Sequence, residues 1–396
     1  MLKKILSKFE SPEYPLLGPN IKILKFWGLL LPDGAKKYLY LFLHLNVILF
    51  MSTQFVEIWY IKHDINLTLT NLKISLLSTV TVAKVMTFLI WQKDWKKIIN
   101  YVNETDKIQR NVADTDEEHD KRDIIDKYTK YSRSITYRYS LLLLTTVIFV
   151  VSQPIIRCAV SKTYRDNIKN GSEYYDLPVS SWIPFDKNAI VGYIVICIYM
   201  DYAAFYGGAW ITTFDTTAIV IMVFFRGELE MLKVDSGKIC KSDNNKEFRR
   251  RLKNCHRRHV KLTKYIRLFD SCLSPIMLLY MIVCSVMLCS TVYQLNSQPL
   301  GHHLTAEYLI FGVAQLFMYC WHSNDVFYVS KSLFRGPYES VWWTRSVPEQ
   351  RNISILVNQF NKDIFFSAGP FYSITIATFI AILKGAYSYY TILSKS

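Results

Sequence analysis

The sequence lacks the short motifs that announce most enzymes: it has no H-E-x-x-H, no G-x-S-x-G and no Walker A run. Those motifs set a metal, a nucleophile or a phosphate cradle at fixed spacing, so their absence argues against the zinc peptidase, serine hydrolase and P-loop classes. His302 and His303 are adjacent but have no carboxylate or metal-ligand partner nearby in sequence, which suits a polar turn better than catalysis. The eight cysteines include no C-x-x-C pair. Cys240, Cys255, His256 and His259 share one stretch, but their spacing is not that of a zinc site and the neighbouring arginines repel a cation, so neither metal nor cofactor is expected. Cys197, Cys272, Cys284 and Cys320 lie in apolar runs, where cysteine serves as a small apolar residue, and only Cys158 and Cys289 fall near the expected outer face, where nothing in the sequence supports a disulfide between them. No internal repeat or low-complexity tract is present, which weakens an inverted-repeat transporter reading. No apolar stretch with a small-residue cleavage site precedes Tyr38, so a cleaved signal peptide is not expected.

What the chain does have is long apolar blocks separated by charged stretches. Apolar residues make up 51% of the sequence. They are too clustered for the helix or strand periods of a soluble domain. Seven stretches are long enough to cross a hydrocarbon core, which takes roughly 20 apolar residues. They are Tyr38–Tyr60, Leu67–Trp91, Leu141–Val160, Ala189–Phe225, Cys272–Tyr293, Ala306–Tyr328 and Phe371–Ser394, the fourth long enough to project past the bilayer. The pattern predicts an all-α membrane protein with seven transmembrane helices.

The net charge of +15 is distributed as a topology signal and a match to anionic inner-leaflet lipids; nucleic acid is not an expected partner. Basic residues concentrate at Lys3, Lys4, Lys8, Lys22, Lys25, Lys36 and Lys37, in the loop Gln92–Arg138, and in the run Arg226–Arg267. The alternate loops carry only Lys62, Lys162, Arg165, Lys169 and Lys187, and the turn Asn296–His303 has no Lys or Arg. Basic loops resist translocation, so the amino terminus is expected in the cytoplasm and the carboxyl terminus outside. Glycosylation acceptors do not decide the matter: Asn66 and Asn170 fall in expected outer loops, but Asn103 and Asn352 fall inside. The acidic run Asp114–Asp120 reads as a solvated helix with a turn, and the Tyr-rich loop Ser161–Lys187 as a cover over the outer mouth. Between Lys331 and Asp363, Trp342, Trp343, Ile355, Leu356 and Phe360 are expected to pack.

Ionisable groups inside spans are costly and usually face protein or water. Lys84, Asp201, Asp215 and Lys384 are the interior examples, read first as structural pairing between helices, while Lys73 and Arg157 are placed to snorkel outward. In the last span Thr378, Ala381, Gly385, Ser388 and Ile392 recur at three- and four-residue steps, with Phe379, Tyr387 and Tyr390 elsewhere around the helix. Such a face serves either helix packing or, if several copies meet around an axis, a conduit.

The stretch Phe379-Ile380-Ala381-Ile382-Leu383-Lys384-Gly385-Ala386-Tyr387-Ser388-Tyr389-Tyr390-Thr391-Ile392-Leu393 resembles the signature ending of the insect odorant receptor family. Tyr319-Cys320-Trp321-His322, Ser330, Tyr338 and Trp342 fit that family's sixth-span and following-loop pattern, and Leu24-Lys25-Phe26-Trp27-Gly28 its amino-terminal motif. Ser323 departs from it where glycine is frequent, and the Thr-Tyr and Gln-Phe ending of the gustatory receptors is absent. The chain is shorter than the family's co-receptor and lacks its long cytoplasmic insertion, so it resembles an odorant-tuning subunit.

The resemblance implies an odorant-gated, nonselective cation channel in which four subunits, usually including the co-receptor, meet through their cytoplasmic ends in the plasma membrane of sensory neurons. It divides the chain into a cytoplasmic lead (1–37), the first four helices (38–225), a cytoplasmic helical extension (226–267), helices five and six (268–330), an anchor segment (331–370) and a pore-lining helix (371–396). Thr378, Ala381, Gly385, Ser388 and Ile392 would face the pore, with Ile392 at an apolar constriction that blocks ions by dewetting. The implied odorant pocket lies in the outer half of the bundle. Its expected residues are Leu72, Leu76, Thr79, Phe149, Gln153, Tyr193, Cys197, Met200, Tyr280 and Val283, any of which could equally be core. A volatile of roughly ten heavy atoms would bind by burying apolar area, with one hydrogen bond from Tyr193, Gln153 or Thr79, at about micromolar affinity. Two rivals remain: a seven-helix G-protein-coupled receptor, opposed by the basic amino-terminal side and the missing Asn-Pro-x-x-Tyr, and a secondary transporter, supported only by Asp201, Asp215 and Lys384.

Overall fold

The computed structural model describes residues 10–113, 119–170, 190–241, 244–297 and 302–393, together with Ser172, Tyr175 and 177–183. Most of the acidic run, much of the outer loop and the Asn296–His303 turn therefore lie outside the described residues, as do the side chains of Ile392 and Tyr390.

In chain order the helices are α1 (Gly18–Phe26), α2 (Lys36–Ile61), α3 (Ile65–Ile90), α4 (Gln92–Ala113), α5 (His119–Val160), α6 (Lys162–Lys169), α7 (Ile190–Gly237), α8 (Asn245–Ser297), α9 (His302–Ser332), α10 (Arg335–Glu339), α11 (Val347–Phe360) and α12 (Ile376–Leu393). Among the described residues α2, α3, α5, α7 and α8 are long and apolar enough to cross a membrane. Helix α9 and the shorter apolar α12 complete the seven.

Local chemistry sets several boundaries. Asp64 accepts from the Leu67 N–H at 3.0 Å and Ser161 from the Tyr164 N–H at 3.2 Å, each satisfying a first-turn donor of α3 or α6. Just past the end of α1, Gly28 has a φ of +68° that lets Leu29 N–H return to the Leu24 carbonyl at 3.0 Å. Helix α4 is amphipathic and buries Trp95, Ile98, Ile99 and Val102 at helical spacing.

The core is organised around α7. Every residue from Trp210 to Phe225 is buried, so this helix is surrounded by protein where α2 and α5 are not. Helix α2 exposes Tyr38, Phe42, Leu45 and Leu49, and α5 exposes Leu141, Leu144, Ile148 and Ile155; these apolar surfaces suit lipid. The lead is tied down as well: Asn20 donates to Thr216 Oγ1 at 3.1 Å, and Arg133 reaches the carbonyls of Leu16 and Pro15.

The last apolar helix begins at Ile376, five residues beyond Phe371. The intervening chain forms a small antiparallel pair, β1 (Ser367–Ala368) with β2 (Tyr372–Ser373). Ser367 N–H donates to Asp270 Oδ1 at 2.7 Å and Gly369 N–H to Ser274 Oγ at 2.9 Å, fixing the hairpin to α8. Gly369 has a φ of +61°, and a Cβ there would lie 2.7 Å from Leu278 Cδ2, so only glycine fits the turn. In the segment after α9, Leu356 and Phe360 pack as expected, whereas Trp343 and Ile355 face outward.

Candidate ligand cavity and pore helix

The outer half of the bundle holds an apolar cavity of about 130 Å³. Helix α2 contributes Phe50, Met51 and Gln54, and α3 contributes Ile74, Leu77, Ser78 and Thr81. Leu143, Thr146, Val147 and Val150 come from α5, Ala203, Ala204, Gly207, Gly208 and Ile211 from α7, Phe311 from α9, and Val179 from the outer loop. The space exists because α7 presents only small residues over two turns. A Cβ at Gly208 would lie 2.8 Å from Val147 Cγ2, whereas one at Gly207 would meet Met51 Cε at an ordinary 3.6 Å.

The structure puts the ten sequence-predicted pocket residues elsewhere, largely on neighbouring faces of the same helices. On α3, Leu72, Leu76 and Thr79 are partly buried beside the cavity face, with Thr79 Oγ1 donating to the Ser75 carbonyl at 2.9 Å. Phe149 and Gln153 are partly buried on α5. Met200 is buried with Phe50, Ile196 and Ala203, so it backs two cavity-lining residues. Cys197 is partly buried, and the Tyr193 ring stacks on Tyr175 at 4.7 Å. Tyr280 donates to the Gly312 carbonyl at 3.4 Å, and Val283 belongs to the main core. Helix α8 contributes no wall to this cavity. The residues missed were Gln54 on the first span and the Ala203-Ala204, Gly207-Gly208 pattern, whose pairs of small residues one turn apart were the available signal.

Immediately inward lies a polar hub. Asp215 Oδ1 accepts from Lys84 Nζ and from the Tyr319 hydroxyl, each at 2.6 Å. Its Oδ2 accepts from the Tyr139 hydroxyl at 2.6 Å and from Gln315 Nε2 at 2.5 Å. Lys84 Nζ also lies 5.2 Å from the Tyr280 ring centroid and 5.6 Å from that of Phe214. Both charges are almost fully buried, so only this saturated donor set makes them tolerable. The expected interior pairing holds for Lys84 and Asp215, but Lys384 is exposed and Asp201 is only partly buried. Lys73 does not snorkel: it is buried and donates to Gln294 Oε1, while Arg157 stacks over Tyr164 at 4.5 Å. Four of the five hub residues sit about one turn from a cavity residue on their own helix. The pairs are Lys84 with Thr81, Tyr139 with Leu143, Asp215 with Ile211, and Gln315 with Phe311.

Helix α9 carries this arrangement toward α12. Phe317, between the hub residues Gln315 and Tyr319, packs edge-on against Phe379 of α12 at 5.5 Å. Thr378, Ala381 and Gly385 line a groove of about 540 Å³ shared with Leu278, Met281, Ile282 and Ser285 of α8. A Cβ at Gly385 would meet nothing within 4 Å among the described residues. Ser388 is exposed and donates to the Lys384 carbonyl at 2.9 Å. Four of the five expected pore positions therefore lie on accessible parts of α12.

Below the hub, helices α4, α5, α7 and α8 carry further buried charge. Arg258 pairs with Glu228 at 3.3 Å and with Asp235, which Lys121 also meets at 2.5 Å. Burial pushes the Glu228 carboxyl above its ordinary range, with Arg258 opposing. Tyr128 donates to Asp106 at 2.5 Å, and burial, reinforced by the carboxylate, raises its phenol well above the usual range. The four Cys and His residues of this stretch do not converge. Cys240 lies 3.6 Å from Ser340 Oγ, burial pushes the Cys255 thiol up to about 12, and His259 packs against Phe360 at 4.8 Å. Among the described residues no His, Cys, Asp and Glu group is placed to hold a metal.

A bundle of long apolar helices that encloses an apolar cavity and a buried polar hub defines a multi-pass helical membrane protein. Comparison with known proteins sharpens that class. The family model described as 7tm Odorant receptor matches residues 64–387. Odorant receptor 30a of Drosophila melanogaster is 21% identical over 399 residues, covering 98% of this chain and 99% of the relative. The odorant receptor coreceptor of Anopheles gambiae is 22% identical over 139 residues, covering 34% of this chain and 29% of that protein. The solved structure of the insect olfactory receptor OR5 from Machilis hrabei in complex with eugenol shares the fold, with a TM-score of 0.78, 15% identity, and coverage of 95% of this chain and 98% of that one. The chain belongs to the 7tm odorant receptor family. It is a multi-pass membrane protein and a subunit of an odorant-gated cation channel, and its family membership favours neither the G-protein-coupled receptor nor the transporter reading.

Proposed function

We propose that this chain is the odorant-tuning subunit of a heterotetrameric, nonselective cation channel, assembled with the odorant co-receptor in the plasma membrane of sensory neurons. Its amino terminus is cytoplasmic and its carboxyl terminus extracellular, a reading supported by the asymmetry of Lys and Arg among the loops. A small volatile ligand occupies the cavity between α2, α3, α5 and α7. Cations pass along the face of α12 bearing Thr378, Ala381, Gly385, Ser388 and Ile392, with Ile392 nearest the constriction. Of the expected pocket residues, Met200 supports the wall, packed with the lining residues Phe50 and Ala203.

The observation that carries this reading is the stacking of cavity on hub: four helices that line the cavity also hold the Asp215 network one turn below. A ligand favours the open state only through tighter binding to it. Wedging these helices apart from above changes the hub geometry and, through Phe317 and Phe379, the position of α12.

The test is voltage-clamp recording from cells co-expressing this chain and the co-receptor, with cysteines placed singly at Ala381, Gly385 and Ser388. Odorant-evoked current that a water-borne thiol reagent blocks at these positions is the expected result. Unmodified current at all three, or current that requires G proteins, removes the reading.

A further inference from the structure

We infer that the basic cleft where α4, α5, α7 and α8 meet, below the hub, binds a soluble polyphosphorylated polyol of the inositol polyphosphate class. The inference is separate from the odorant cavity and rests on the proposed topology only in drawing that ligand from the cytosol.

The cleft encloses about 520 Å³ and is lined by seven basic side chains against three acidic ones. Helix α8 supplies one stripe, in which Glu247, Arg250, Arg251, Asn254, Arg258 and Lys261 recur at three- and four-residue steps and so share a face. Lys121 of α5, with Lys238 and Lys241 just past α7, completes the positive set. The acidic members are already engaged. Glu247 accepts from Arg250 Nε and Arg251 Nε, each at 2.8 Å, Glu228 and Asp235 share Arg258, and Asp235 also meets Lys121. Lys238 has Asp120 3.6 Å away. Among the described residues Lys241 and Lys261 have no carboxylate partner, and Lys261 Nζ lies 5.2 Å from the Tyr101 ring centroid instead. A concave site with surplus charge of one sign focuses its field and gathers counter-ions.

Geometry sets the number of phosphates. Arg251 and Lys261 are ten residues apart on α8, about 15 Å along its axis. Lys241 belongs to the Arg251 end, because Arg251 Nη1 donates to the nearby Lys238 carbonyl at 2.8 Å. A single phosphate, bonding donors at about 3 Å, cannot serve both ends. A ligand with several phosphates on a compact frame can, and the two adjacent guanidinium groups suit phosphate oxygens. The frame is not a nucleobase: Tyr101, the one aromatic residue described in the wall, is stacked on Tyr265 at 3.9 Å with Lys261 beside it. A polyol ring suits the polar side chains of Thr105, Gln109 and Asn254.

Depth sets the source. Lys261 and Arg250 precede Cys272, where the apolar part of α8 begins, by eleven and twenty-two residues, about 16 and 33 Å along the helix. A headgroup layer is only about 5–8 Å thick, so a lipid held in the bilayer does not reach the cleft, whereas a free phosphate ester does.

The experiment measures equilibrium binding of labelled inositol hexakisphosphate to the purified complex of the full chain with its co-receptor in phosphatidylcholine nanodiscs, beside the co-receptor alone. Saturable binding beyond that of the co-receptor is expected, and about a hundredfold excess of inorganic phosphate should leave it bound, since several linked contacts outlast single ones. Phosphatidylinositol 4,5-bisphosphate added to the same disc should not displace it. Lys241→Gln combined with Lys261→Gln should weaken binding about tenfold. Arg257→Gln combined with Lys264→Gln, which removes the same charge from exposed positions on α8 outside the cleft, should change it by less than about twofold. Both cleft lysines are exposed, and odorant-evoked current confirms that each variant assembles. No binding beyond the co-receptor's, displacement by inorganic phosphate or by the lipid in the disc, or equal weakening in the two double variants overturns the inference and leaves the channel reading intact. If the cleft variant does not assemble, the two displacement measurements on the natural complex decide.

Discussion

The outer and inner halves of this bundle are built on opposite principles. Around the cavity, contacts are apolar, small residues leave space, and a buried amide oxygen goes unpaired. Below the hub, aromatic rings pack face to face, as Phe88 and Trp95 do at 4.2 Å, and buried charges share partners across helices. A loosely filled region can exchange void for ligand, whereas a close-packed region has low compressibility and transmits displacement. Asp215 lies at the boundary, and the contrast can be broken or sharpened there first.

The largest effect is expected from Asp215→Ala. It leaves Lys84 buried and unpaired along with three other donors, a loss of about 3–5 kcal/mol, and should abolish surface expression as read by labelling of intact cells. Lys84→Met combined with Asp215→Leu removes both charges and should restore part of that expression; no recovery would show that the remaining hydrogen bonds, not the charge pair, set the cost.

Glycine replacements compare the two halves directly. A Cβ at Gly336, where α10 crosses α7, would lie 2.5 Å from the Lys233 carbonyl oxygen, and backbone cannot swing aside. Gly336→Ala should therefore cost about 1–3 kcal/mol, seen as a lower midpoint in thermal unfolding of the solubilised protein. Gly207→Ala adds its methyl group at 3.6 Å from the mobile end of Met51, so the unfolding midpoint should hardly change while potency falls for the largest ligands in a size series. A large stability loss at Gly207 would erase the distinction between a yielding outer half and a rigid inner one.

The smallest effect concerns pH in the inner half, at His259. Burial, helped by nearby His256 and Lys362, pulls His259 from 6.5 down to about 4. Between those values the unfolded chain binds a proton that the folded one does not, so stability falls as pH drops through this window and is unaffected above it. Thermal unfolding at about pH 7 and about pH 5 should show that loss, reduced in His259→Gln; an equal loss in the variant would assign it to another group.

How much of this was legible before folding depends on the range of the interaction. The seven apolar blocks were readable because the hydrocarbon thickness imposes a local length, and Lys84 and Asp215 were conspicuous because charge in a span is costly wherever it sits. Their pairing was not readable: 131 positions separate them, and Asp201 or Lys384 would have served equally well on charge alone. The cavity shows the same limit more finely. The helices α3, α5, α7 and α8 were expected to form it, but α2 and α9 line it in place of α8, and Leu72, Leu76 and Thr79 were expected where Ile74, Leu77, Ser78 and Thr81 stand. A rotation of part of a turn decides that choice, and in an apolar helix every face has similar composition. For the same reason Gln153 was singled out and Gln54 passed over.

By itself the sequence determined that the chain enters the membrane, how many times it can cross, which loops are basic, and which family it joins, because these depend on composition within a window or on contiguous residues. Only the tertiary structure decided which small residues leave a void and which carboxylate receives Lys84. Those outcomes depend on how helices distant in sequence rotate against one another, a choice set by side-chain packing across interfaces that no single helix contains.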